Sequence, residues 1–200
     1  MSSNEYHFIT RWRVQGTVDE VYDLISHPLD YPRWWPSVYL KIEELTPGDE
    51  GGVGRRVRLH TKGWLPYTLQ WESCSTEAVR PRRLAIRATG DFGGRGIWTL
   101  QQDAQFVNVE FDWKLTADKP LLRRLSFLLK PVFSANHHWA MQRGLESLNL
   151  ELARRHAASA EERQRIPAPQ GPNKTSGIWL AVGATAVAAL VVAAVRWAVR

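Results

Sequence analysis

The sequence predicts an α+β domain with an antiparallel sheet of about seven strands and a long C-terminal helix, and a separate transmembrane helix beyond it. Three observations predict this. Residues 38–115 read as successive period-two runs parted by turn residues, and residues 121–155 switch to a helical period. Residues 177–195 then hold 19 consecutive residues without a charge. A length of 200 residues with 44% hydrophobic and 23% charged side chains suits one globular domain with an appendage.

The first strand lies in "YHFITRWRV", where Phe8, Thr10, Trp12 and Val14 share a face. "TVDEVYDLI" follows as a short helix. Thr17 is its N-cap, Glu20 is the capping-box partner three residues on, and Val18, Val21, Tyr22 and Ile25 fall on one helical face. Pro28, Pro32 and Pro36 are expected to forbid regular structure up to Ser37. Further strands are expected near residues 38–45, 54–62, 67–79, 83–89, 96–102 and 106–116, with "GDFGGR" among the turns between them. The last is the clearest: Val107, Val109, Phe111, Trp113 and Leu115 alternate with Asn108, Glu110, Asp112 and Lys114. In the terminal helix Met141, Leu145, Leu148 and Leu152 form an apolar stripe, and Pro131 upstream is expected to kink or interrupt the helix.

Residues 1–156 therefore form the domain and residues 157–176, with Pro167, Pro169 and Pro172, a linker. The linker could hold the domain up to about 60 Å from a bilayer or let it lie flat. Residues 177–197 are expected to cross a membrane once, with Trp179 and Trp197 at the two interfaces. With no basic and apolar leader at the N-terminus, the expected topology is tail-anchored with the domain facing the cytoplasm, and the single Cys74 agrees with a reducing compartment. Half of the +6 net charge comes from Lys174, Arg196 and Arg200 around that segment, which argues against a nucleic acid partner. No histidine or cysteine spacing suggests a metal, and "GDFGGRG" and "GDEGGVG" precede strands rather than helices, so no nucleotide cofactor is expected either.

Three stretches together carry a family resemblance: "TVDEVYDLISHPLDYPRWWPSV", "GIWTLQQDAQFVNVEFDWKL" and "MQRGLESLNLELARR". In this order the chain resembles the START-like (SRPBCC) superfamily, with its polyketide cyclase/dehydrase-type and lipid-transfer domains and their helix-grip fold. The resemblance implies an elongated apolar cavity between sheet and helix that takes a hydrophobic or amphipathic small molecule, such as a lipid. It also implies that "YPRWWPS" sits at the cavity mouth, where Trp34 and Trp35 close over a ligand or touch a membrane; the alternative is that the pair belongs to the core.

Strand faces expected to point inward carry Val57, Leu59, Leu69, Trp71, Leu84, Ile86, Val109, Phe111 and Trp113, with Arg55 and Glu77 in phase near strand ends. That favours a container over a catalyst. The candidate ligand-binding residues are Trp34, Trp35, Trp71, Trp98, Phe111, Trp113, His138 and Met141, with Tyr67 and Asp91 near the mouth. His138, three residues before Met141, continues the helical stripe and is the candidate catalytic base of a rival reading, a cyclase or dehydratase acting on a polyketide-like or aromatic substrate; otherwise it is a core histidine. In a third reading "LLRRLSFLLK" lies on a membrane or a protein.

Overall fold

The computed structural model describes residues 5–65, 67–116 and 120–173, with the side chains of residues 120–129 excepted. Seven strands, β1 (Glu5–Gln15), β2 (Tyr39–Thr46), β3 (Arg56–Lys62), β4 (Thr68–Val79), β5 (Arg83–Gly90), β6 (Gly93–Asp103) and β7 (Phe106–Thr116), form one sheet. The spatial order is β1-β7-β6-β5-β4-β3-β2, antiparallel throughout. The helices are α1 (Val18–Ser26), α2 (Tyr31–Trp34), α3 (Pro120–His156) and α4 (Ala160–Arg165). Irregular register in β2 against β3 and in β4 against β5 bends the sheet, and the concave face receives α3.

Local chemistry accounts for the elements. Thr17 caps α1 by accepting from the Glu20 amide while the Glu20 carboxylate accepts from the Thr17 amide, the expected capping box. Strand alternation puts Phe8, Thr10, Trp12 and Val14 inward on β1, and Val107, Val109, Phe111 and Trp113 inward on β7.

Four expectations change. The proline-rich stretch is not irregular: Pro28–Asp30 is a 3-10 turn and Tyr31–Trp34 a helical turn, with prolines in the first-turn positions that tolerate a missing N–H. α3 runs through Pro131 without interruption. β6 begins at Gly93, so "GDFGGR" is largely strand; its neighbour Gly96 has no room for a side chain, since a Cβ there would lie 2.7 Å from Trp113 and 2.8 Å from Phe111. The linker opens with α4, capped by Ser159. The expected span 177–197 lies outside the described residues, among which no helix is long and apolar enough to cross a membrane.

Packing is solid where α1, α2 and the second half of α3 meet β1, β6 and β7. Val14, Val21, Leu24, Leu100, Val107 and Leu148 are fully buried there. Over β3 to β5, and over Trp98, Phe111 and Trp113 of β6 and β7, the same two layers stand apart.

Candidate functional site

Between the concave sheet and α3 lies a cavity of about 850 Å³. Its floor is aromatic. Period two sends Trp98 of β6 and Phe111 and Trp113 of β7 to one face, where Trp98 stacks on Phe111 at 4.0 Å and Phe111 on Trp113 at 5.3 Å. The row continues to Trp71 at 6.1 Å and on to Phe92 at 5.2 Å. Trp71 is fixed by its own polar atom, the indole N–H donating to buried Thr61 Oγ1 at 3.1 Å. Aliphatic Val57, Leu59, Leu84 and Ile86 complete the sheet side.

The roof is α3. Phe133, His137 and Met141 recur at steps of four and line the cavity with Asn136 and Ala140. His137 stacks on Phe8 at 4.3 Å and its Nε2 lies 3.3 Å from Thr10 Oγ1. Burial, reinforced by neighbouring His138, holds the His137 imidazole down at about 4. It is neutral near pH 7.

His138 does not face the cavity. It is exposed, and its Nδ1–H donates to the Ser134 carbonyl at 2.7 Å. A step of three back from Met141 falls about 60° short of a full helical turn and a step of four overshoots by about 40°. The sequence admits both, and contact with Phe8 and Thr10 of β1 selects the histidine one residue earlier. His137 is the α3 histidine that lines the cavity, and the helical stripe alone does not single it out.

Trp34 and Trp35 rim no opening. Trp34 is 1% exposed and lies behind the cavity wall, packed edge-on against Tyr31 at 5.3 Å; Trp35 is 3% exposed and forms the inner wall, T-shaped against Trp12 and Tyr39. Neither indole N–H has a partner among the described residues. Two contacts on α3 seat the pair. Gly144 leaves the space that Trp35 fills, since a Cβ there would be 2.6 Å from Trp35 Cε2. Arg33, between Pro32 and Trp34, donates to buried Glu151 at 2.8 Å.

Trp71, Trp98, Phe111, Trp113 and Met141 all line the cavity as the strand and helix periods place them. Tyr67 and Asp91 lie at one end and Arg55 at the other, whereas Glu77 pairs with Arg83 outside it. Tyr31 and Tyr39 carry no such signal in the sequence: Tyr31 lies in the proline-rich stretch, and Tyr39 opens a strand whose inward face the sequence leaves unassigned. Burial raises both phenols well above their usual range, and burial together with Tyr6 raises Tyr67 to about 12. The Tyr31 hydroxyl donates to the Ile25 carbonyl. Charged side chains gather at the two ends, Arg55, Arg80 and Glu50 at one and Lys62 and Asp91 at the other. Among the described residues no three His, Cys, Asp or Glu side chains converge as a metal site.

Residues 8–153 match the family described as polyketide cyclase/dehydrase and lipid transport. The chain belongs to that family. Solved structures share the family fold. The Zhui aromatase/cyclase from Streptomyces sp. R1128 is 20% identical and superposes with a TM-score of 0.60 over 78% of this chain and 98% of that one. The protein TTHA0849 from Thermus thermophilus is 15% identical, with a TM-score of 0.61 over 74% and 99%. The di-domain ARO/CYC StfQ from the steffimycin biosynthetic pathway is 15% identical, with a TM-score of 0.56 over 70% of this chain and 49% of that one. No curated protein matches the chain.

Proposed function

We propose that this family member captures a hydrophobic or amphipathic small molecule, such as a lipid, in the cavity between sheet and α3, while residues 177–197 tether it to a membrane with the domain on the cytoplasmic side. The observation that carries the reading is the distribution of chemistry: about 850 Å³ lined by aromatic and aliphatic side chains, with charge confined to the ends. A neutral His137 and protonated tyrosines suit an uncharged body held between polar termini. Tethering raises the domain's effective concentration where such a ligand dissolves.

Native mass spectrometry on residues 1–173, with extraction of whatever stays bound, tests the capture. A stoichiometric apolar molecule, lost when Ala140→Trp fills the roof, is the expected result. A folded domain that carries nothing and takes up no fluorescent fatty acid would overturn it.

A cyclase or dehydratase is the second reading, favoured by the contact of His137 with Thr10 inside an aromatic cavity of a family that includes such enzymes. A base held near 4 is weak for proton abstraction at neutral pH, which ranks this reading second. His137→Ala separates the two: capture survives if the domain is a container, and turnover of an aromatic polyketide-like substrate vanishes if it is an enzyme.

A further inference from the structure

The cavity has two ends, and the path of the chain distinguishes them. One end lies beside Ser26, Gly51, Arg55 and Arg80, and the other beside Lys62, Tyr67, Phe92 and Asn136. α3 runs from the second end towards the first, and after His156 the chain turns back. Arg163 donates to the Arg154 carbonyl at 3.2 Å, Arg154 donates to the Pro167 carbonyl, and Arg143 donates to Gln170 at 2.8 Å. Lys62 then donates to the Asn173 carbonyl at 2.8 Å. Step by step along α3, the segment read from sequence as a linker is laid down on the domain. It returns to the Lys62 end of the cavity.

Gly177, where the uncharged run begins, is only four residues beyond Asn173. Fully extended they cover about 14 Å. The length of β3 alone sets the opposite end about 20 Å further away. The loop between β3 and β4 at the near end exposes Trp64 and Tyr67, each 39% accessible. Such rings, apolar in body and polar at one edge, favour the boundary between head groups and acyl chains. The loop is held in place, since Asn136 Oδ1 accepts from the backbone amides of Trp64 at 3.0 Å and Leu65 at 3.4 Å. Lys62 and Lys130 belong to the same end, Lys130 lying 5.7 Å over the Tyr6 ring, and the sequence puts Arg123 and Arg124 in the leading third of α3. The acidic member of the rim, Asp91, accepts from the Gln70 amide at 2.9 Å.

We infer that the Lys62–Tyr67–Asn136 end of the cavity is seated on the surface of a phospholipid bilayer, with Trp64 and Tyr67 as its contact. The inference rests on the tethering proposed above and adds an orientation to it: the ligand passes between bilayer and cavity at the end nearest the tether.

Site-specific quenching in the full chain tests this. In a Cys74→Ser background, a fluorophore is placed at Trp64→Cys, at Tyr67→Cys or, at the far end, at Glu50→Cys. Each protein is reconstituted into phosphatidylcholine and phosphatidylglycerol vesicles carrying a head-group nitroxide lipid. Labels at 64 and 67 are expected to be quenched severalfold more than the label at 50, with retained circular dichroism showing that each variant is folded. Protein that floats with the vesicles while positions 64 and 67 stay unquenched, or while position 50 is quenched instead, overturns the orientation and leaves the tether standing. Protein that does not float overturns both.

Discussion

Gly144 and His137 are single positions on α3 whose identity follows from what faces them. Gly144→Ala places a methyl group against the Trp35 indole, which Trp12, Trp34 and Tyr39 already pack, so the ring can give way only towards the cavity it lines. The expected cost is that of an overpacked core, about 1–3 kcal/mol, read as a lower urea midpoint. His137 supplies a pH dependence. Its folded value near 4 lies below the ordinary 6.5, so the unfolded chain binds the proton more readily. Its stabilising contribution is complete above about 6.5 and is lost as the pH falls through about 4. Replacing it with Gln is expected to flatten the urea midpoint across that window; an unchanged pH profile would show that the imidazole is not buried as described.

At the scale of elements, the capping box of α1 does two tasks. Glu20 closes the box with Thr17 and also meets His156 at the end of α3. Burial works to raise its carboxyl, but the Thr17 amide, His156 and the Thr17 hydroxyl outweigh it and bring the group down to about 2. A depressed carboxyl contributes stability above its ordinary value near 4.5 and loses it as the pH falls towards 2. Glu20→Gln is therefore expected to lower the melting temperature at pH 7 while losing less of it between pH 4.5 and 2. The helix was legible because both box residues and the apolar face lie within ten residues. The following α2 was not, because its prolines read as breakers unless Pro28 and Pro32 are known to fall in first turns. A four-residue helix has no period from which to tell that Trp34 points to the core and Trp35 to the cavity wall. Likewise, a stripe of steps of three and four fixes the buried side of α3 but leaves its angular phase open by about one residue, which is the difference between His137 and His138.

For the whole molecule, the sheet was readable because period two and short turns are local signals, whereas the space between its layers belongs to no segment of sequence. The aromatic floor marked that face as apolar without saying whether α3 would press onto it. α3 does so at one end only, through Leu148 and Leu152, and at the other the rings of Trp71 on β4, Trp98 on β6 and Phe111 on β7 face the cavity rather than the helix. A fitted apolar molecule would supply the missing contacts and bind only the folded state. At a hundredfold excess over its dissociation constant, such a ligand adds about 2.7 kcal/mol to the unfolding free energy. In a domain of this length each kcal/mol moves the melting temperature by about 2–4 °C, so a rise of about 5–10 °C is expected. Scanning calorimetry of residues 1–173 against amphiphiles of increasing chain length should show that rise growing until the cavity is full and then levelling. Ala140→Trp, which occupies the roof from within, should stay folded and lose most of the response. Equal shifts in that variant, or none at any chain length in the parent, would mean that amphiphiles act on the surface and that the space between sheet and helix is not a binding site.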